Sequence, residues 1–192
     1  MSKAKTARRA KPKLDENALS FRELTLFVED AVGFRLGVAT YDTPATRDDL
    51  LAKLTDAAPK VHLSWLDLAS TPDEKLLLTR LAQHLRDELT AEGKTRAVMV
   101  VNLESTLDYR TLGPNSDDNL AILTNANFQR DAYPDLCPVS VVFWLNSTAT
   151  VAFSQHAPDL YDWRSATFRF EGPAGPGERI NLESELIHTP YL

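Results

Sequence analysis

Phe34-Arg-Leu-Gly-Val-Ala-Thr-Tyr-Asp-Thr-Pro-Ala-Thr-Arg-Asp-Asp-Leu-Leu-Ala-Lys-Leu54 is the stretch that decides the fold. Residues 34 to 40 are apolar and rich in strand formers. Thr43 is a good helix N-cap, Pro44 suits the first helical position, and Leu50, Leu51, Leu54 and Ala58 form one helical stripe. Strand, tight turn and helix start make the layout of a phosphate-binding loop. The phosphate chemistry is missing from it. A loop of pattern G-x-x-x-x-G-K-S/T needs a second glycine for close backbone approach, a lysine for the β/γ-phosphates and a hydroxyl for Mg²⁺. Counted from Gly37, those positions hold Asp42, Thr43 and Pro44. A carboxylate repels phosphate oxygens, and proline offers no backbone N–H.

The same unit recurs along the chain. Val61-His-Leu-Ser-Trp-Leu66 reads as a strand, and Thr71-Pro-Asp-Glu74 as a capping box before a helix carrying Leu77, Leu81, Leu85 and Leu89, closed by Gly93. Arg96-Ala-Val-Met-Val-Val101 and Ser140-Val-Val-Phe-Trp-Leu145 are continuous apolar runs of the kind buried on both faces of a parallel sheet. Ala166-Thr-Phe-Arg-Phe170 alternates as a last strand. Helices are expected from the Ser20-Phe-Arg-Glu23 capping box to Gly33, from Asp117 to about Ala132, and over residues 147 to 156. The spacing predicts an α/β three-layer sandwich with a mainly parallel sheet and P-loop NTPase-like topology. Its expected limits are residues 19–171, preceded by a basic arm at 1–18 and followed by a linker and tail at 172–192.

Charge divides the chain unevenly. Residues 1 to 13 hold six lysines and arginines and no acid, which leaves the remainder at −12 although the whole is only −6. The basic arm suits nucleic acid or an acidic partner by non-specific electrostatics, or is simply solvated; the acidic body argues against a nucleic-acid groove on the domain. Cys137 is the only cysteine, so no internal disulfide forms, and its place before an apolar run is that of a buried small hydrophobe. No segment approaches the ~20 apolar residues of a membrane span. A cytoplasmic protein is the expectation.

Ligands of open α/β sheets bind beyond the carboxyl ends of the strands. After the first strand stand Thr40, Tyr41, Asp42 and Thr43, either a polar ligand site or a turn with a capped helix. Val100-Val-Asn-Leu-Glu104 occupies the place of a Walker B strand end, yet Asn102 is a neutral, poor Mg²⁺ ligand and Glu104 has no phosphate to act upon. Asn127, Arg130 and Asp131 share a helical face, as a polar network at the end of the sheet or as an ordinary solvated face. Asp159, Trp163 and Arg164 suit either partner anchoring or capping and core packing. His62, His84, His156 and His188 show no metal spacing, and no G-x-S-x-G elbow is present. Neither a cofactor nor a metal is expected.

Asn127-Phe-Gln-Arg-Asp131, Pro138-Val-Ser-Val-Val-Phe-Trp-Leu145 and Ala157-Pro-Asp-Leu-Tyr-Asp-Trp-Arg-Ser165 together resemble the STAND-type (signal-transducing NTPase) P-loop-like modules found at the N-terminus of bacterial tetratricopeptide-repeat proteins. Asn127, Arg130, Asp131, Trp144, Pro158, Asp159, Trp163 and Arg164 match that pattern position by position, and residues 39 to 47 resemble the family's substitute for the phosphate loop. The resemblance implies a regulatory or scaffolding module of signalling or defence assemblies that works by protein contact and not as an enzyme. Two alternatives stand beside it. One is a nucleotide-binding switch in which groups near Thr40 to Ala45 and Arg130 hold nucleotide; the other is nucleic-acid association through the basic arm.

Overall fold

The computed structural model describes residues 15–30, 32–70, 75–88, 95–107 and 120–172. Its centre is a five-stranded sheet of β1 (Arg35–Tyr41), β2 (Val61–Asp67), β3 (Thr95–Val101), β4 (Ser140–Leu145) and β5 (Arg164–Phe170). The strands lie in the order β2-β3-β4-β1-β5, and every adjacent pair is parallel. All five coincide with the apolar runs read from sequence. β4, whose six residues are all buried, takes the centre that its unbroken apolar run predicts.

Helices cover both faces. On one side α1 (Glu16–Glu29) and α2 (Pro44–Ala57) bring Leu24, Phe27, Leu51 and Leu54 against Met99, Val142, Trp144 and Phe168. On the other, α3 (Leu77–Asp87), α4 (Ala121–Phe128), α5 (Tyr133–Leu136), α6 (Ser147–His156) and α7 (Pro158–Asp162) pack Leu81, Leu123, Tyr133, Phe153 and Leu160 on Val98, Val141 and Phe143. Alternate residues of each strand therefore feed two separate cores. The expected three-layer α/β sandwich is what forms.

Two helix boundaries differ from expectation. α1 begins at Glu16 because the Asp15 carboxylate accepts from Ala18 N at 3.2 Å, so Ser20 lies inside the helix and the fold starts before residue 19. The helix expected to run from Asp117 to Ala132 is described from Ala121 to Phe128; a 3₁₀ turn at Arg130–Ala132 and α5 follow, with Pro134 in the first turn of α5, where its missing N–H costs nothing. Gly37, from which the phosphate-loop pattern is counted, lies in the strand expected there. It sits mid-β1, where an added Cβ would lie 3.1–3.3 Å from the rings of Phe27 and Phe168, so this glycine serves helix-on-sheet packing. The Thr71–Glu74 capping box, Leu89, Gly93, the arm at 1–13 and the tail beyond Gly172 fall outside the described residues.

Candidate functional site

With all strands parallel, the carboxyl ends of β1, β2 and β3 meet at one rim. Only Asp42 and Thr43 separate β1 from α2. Thr43 caps the helix, its hydroxyl accepting from Thr46 N at 3.2 Å, and Pro44 follows as the first helical residue. The Asp42 carboxylate accepts from Gly172 N at 2.9 Å, which fixes the chain where it leaves β5. Thr40 remains within β1 and donates to Phe168 O at 3.4 Å.

A closed polar network fills the rest of this rim. Arg47, 8% exposed on the first turn of α2, donates through Nη1 to Asn102 Oδ1 at 2.5 Å and to the Tyr41 hydroxyl at 3.3 Å, and through Nε to Asp48 Oδ1 at 2.9 Å. Asn102 donates to Asp67 Oδ1 at 2.8 Å, and Tyr41 donates to Glu104 Oε1 at 2.9 Å. Asn102 adopts the left-handed conformation at φ 60°, one of the few that asparagine tolerates better than other side chains, and this turns its carboxamide between Arg47 and Asp67. Burial, then the hydrogen bond and charge of Glu104, push the Tyr41 phenol up to about 12, so it stays a donor. Burial disfavours the Arg47 charge, but its bond to Asp48 and the charges around it outweigh that and raise it above its ordinary value. Glu104 Oε2 is enclosed without a hydrogen-bond partner among the described residues.

The expected set Thr40, Tyr41, Asp42, Thr43, Asn102 and Glu104 thus gathers at one rim. Arg130 does not join it. Arg130 precedes α5 and the start of β4, which places it at the opposite rim, where the strands begin. There it donates to Asn127 O at 3.1 Å and lies 3.4 Å from Asp159 Oδ2. The Asn127 carboxamide joins α4 to α7, accepting from Leu160 N at 3.0 Å and donating to Asp159 Oδ2 at 3.2 Å. Asp131 contributes only a 3.9 Å contact to Arg130. Arg164 stacks 3.9 Å over the Tyr161 ring and donates to Tyr161 O at 2.8 Å. Trp144 is no surface anchor: fully buried, it stacks on Phe170 and directs its indole N–H at Met99 Sδ, 3.4 Å away. Trp163 is 41% exposed and Phe128 79% exposed, which leaves two aromatic rings open to contact. Cys137 is the buried hydrophobe expected, its thiol pushed up to about 12 by burial.

Sequence reading missed Arg47 and Asp67. The signal for Arg47 was its place on the buried stripe of α2, three and four residues before Leu50 and Leu51. Asp67 ends β2 and holds Ala69 N as well as Asn102, an ordinary turn aspartate with no signal of its own. Among the described residues no group of three or more potential metal ligands converges, and no helix is long and apolar enough to cross a membrane.

No family model and no curated protein sequence matches the chain. Solved structures do. The ORC2 protein of Aeropyrum pernix in its ADPNP–ADP complexes superposes with a TM-score of 0.51 at 14% identity, over 84% of this chain and 49% of that one. The fold is P-loop NTPase-like. The Drosophila ORC bound to poly(dA/dT) DNA and Cdc6 gives a TM-score of 0.47 at 14% identity, over 83% of this chain and 29% of that one. The chain thus spans about half the length of the first and under a third of the second.

Proposed function

We propose that this domain is a non-catalytic, STAND-like pseudo-NTPase, a regulatory or scaffolding module that works through a protein partner in a signalling or defence assembly. The observation carrying this reading is the position of Arg47. Its guanidinium already occupies the rim where a nucleotide's phosphates and their metal would require open donors and open carboxylates. The two-residue turn at Asp42 and Thr43 leaves no room for a loop to wrap a phosphate, and Thr43 claims a helix N–H that would otherwise face an anion. Partner contact falls to the opposite rim, where Trp163 and Phe128 are exposed beside Asp159, Asn127 and Arg130.

A second reading is favoured by Glu104 Oε2, an enclosed acceptor without a donor among the described residues, and by the nucleotides bound to the Aeropyrum protein. In that reading the rim is a switch, and nucleotide displaces Arg47. Thermal-shift titration with ATP, ADP and GTP, with and without Mg²⁺, separates the two. The pseudo-NTPase reading expects a flat melting temperature to millimolar nucleotide. A reproducible rise of about a degree or more sinks it, because only a ligand of the native state raises the midpoint.

A further inference from the structure

β5 ends the sheet and pairs only with β1. In a parallel ladder, alternate residues of a strand turn both N–H and C=O to the same neighbour. Phe168 faces β1, its C=O accepting from Thr40, so Thr167, Arg169 and Glu171 turn theirs outward. Glu171 is already held, its N–H donating to Asn17 Oδ1 at 3.0 Å and its C=O accepting from Asn17 Nδ2 at 2.7 Å. The outward groups of Thr167 and Arg169 have no partner among the described residues. An open edge of this kind recruits a strand unless something covers it. α1 runs beside that edge. Its Glu16, Leu19 and Ser20 share one groove with Thr167 and Arg169, and its Glu23, Leu26 and Phe27 share a second with Thr167 and Phe168. The middle of α1, near residues 22 and 23, thus stands level with Thr167 and Phe168. Leu19, Arg22, Glu23 and Leu26 fall at i, i+3, i+4 and i+7 on one helical face. All four are exposed, Leu19 at 45% and Leu26 at 47%, and neither Arg22 nor Glu23 has an ion-pair partner among the described residues.

We propose that a second copy of this chain covers the edge, β5 against β5, in antiparallel register about a two-fold axis at Phe168. A two-fold contact must be self-complementary, residue i meeting j while j meets i. Both elements at this edge satisfy that condition. Thr167 of each copy pairs with Arg169 of the other, all four with backbone groups turned outward, and the ladder stops where Asn17 holds Glu171. Setting Arg169 against Arg169 would oppose two guanidinium groups. Setting Thr167 against Thr167 would bring Arg169 to Ser165, whose hydroxyl is bonded to Leu36 O beside the register shift. The axis at Phe168 also lays the two α1 helices antiparallel, with Leu19 against Leu26 and Arg22 against Glu23, each pair formed twice. Glu16 and Glu29 meet only at the exposed ends, where solvent screens them. None of these groups belongs to the strand-end rim, so the pairing holds whether or not nucleotide binds there.

Sedimentation equilibrium of the full chain tests it. The average mass should rise from that of one chain to that of two across the micromolar range. Thr167→Pro removes one outward N–H at an edge position that tolerates proline, and it should weaken dimerisation at least about tenfold. Arg22→Glu, which leaves the sheet untouched, should weaken it by a similar factor, and Arg22→Glu combined with Glu23→Arg should restore it. Oxidation should join a Leu19→Cys chain to a Leu26→Cys chain far faster than it joins either to itself, since Cys137 is buried. A chain that stays single up to millimolar concentration overturns the proposal, as does a dimer indifferent to Thr167→Pro or to Arg22→Glu. Preferential joining of Leu19→Cys to itself overturns it equally.

Discussion

The two rims of the sheet handle polar side chains in opposite ways. Where the strands end, Tyr41, Asn102 and Glu104 bond to one another through Arg47, which is 8% exposed, and Asn102 ties the group to Asp67 at the surface. Where they begin, Asn127, Arg130 and Asp159 bond across α4 and α7, while Asp159 and the neighbouring Trp163 and Phe128 remain open to solvent. Burial strengthens the bonds that Arg47 makes to Tyr41 and Asn102 and makes an orphaned partner there expensive, whereas the Asn102–Asp67 bond lies at the exposed margin and solvent screens the second set. Substitutions at the strand-end rim should therefore cost stability, and those at the strand-start rim should cost mainly recognition.

Arg47→Leu is the strongest way to break this contrast. It removes three hydrogen bonds and leaves Asn102 Oδ1 and an acidic surround without their cation, which should cost about 3 kcal/mol in urea unfolding. A loss under about 1 kcal/mol would mean the rim is solvated in practice, and the difference between the two ends would vanish.

Much of the fold was legible because it rests on unbroken apolar runs and on caps with local chemistry. Thr43 and Pro44 open α2 where their sequence says a helix should open, and Val141 to Leu145 could hardly lie anywhere but between two layers of helices. The site was legible residue by residue but not as an assembly. The apolar runs put Tyr41, Asn102 and Glu104 at strand ends, but helical spacing does not say at which rim a helix ends, and Arg130 lies at the other one. Gly37 lies in the strand that the sequence predicts, but that it admits Phe27 and Phe168 to the sheet has no local signal. The bonds between Arg47 and Asn102, 55 positions apart, and between Asn102 and Asp67, 35 apart, follow from strand order alone. No periodicity encodes them.

At the strand-start rim the expected effects are smaller and unequal. Asn127→Ala leaves Leu160 N without its acceptor and should cost about 1.5 kcal/mol in urea unfolding. Arg130→Ala removes a half-exposed pair with Asp159 and should cost under about 0.5 kcal/mol by the same measure. Equal losses for the two would show that the rim acts as one rigid unit, sharpening the contrast into one of location and not of solvation.

The smallest effect is a dependence on pH, and it too should divide by rim. At the strand-end rim Tyr41, held near 12, stays protonated throughout the neutral range. His84 is different. It sits near the end of α3 that approaches the start of β2, with Nε2 2.9 Å from Ser64 Oγ, and burial lowers its pKa while Glu88 and Asp87 pull upward and Arg96 and His62 downward. A depressed histidine binds its proton more readily when unfolded, so its stabilisation is present above the ordinary value of 6.5 and fades as pH falls below it. Glu88, held below its ordinary 4.5 chiefly by the hydrogen bond from His62, loses its share only as pH drops under that value. The melting temperature should therefore decline gently between pH 7 and 5.5. His84→Gln, which keeps a polar group near Ser64 without a titrating one, should flatten that decline. A slope unchanged by the substitution would move the pH dependence away from the strand-start rim and remove this last distinction between the two ends.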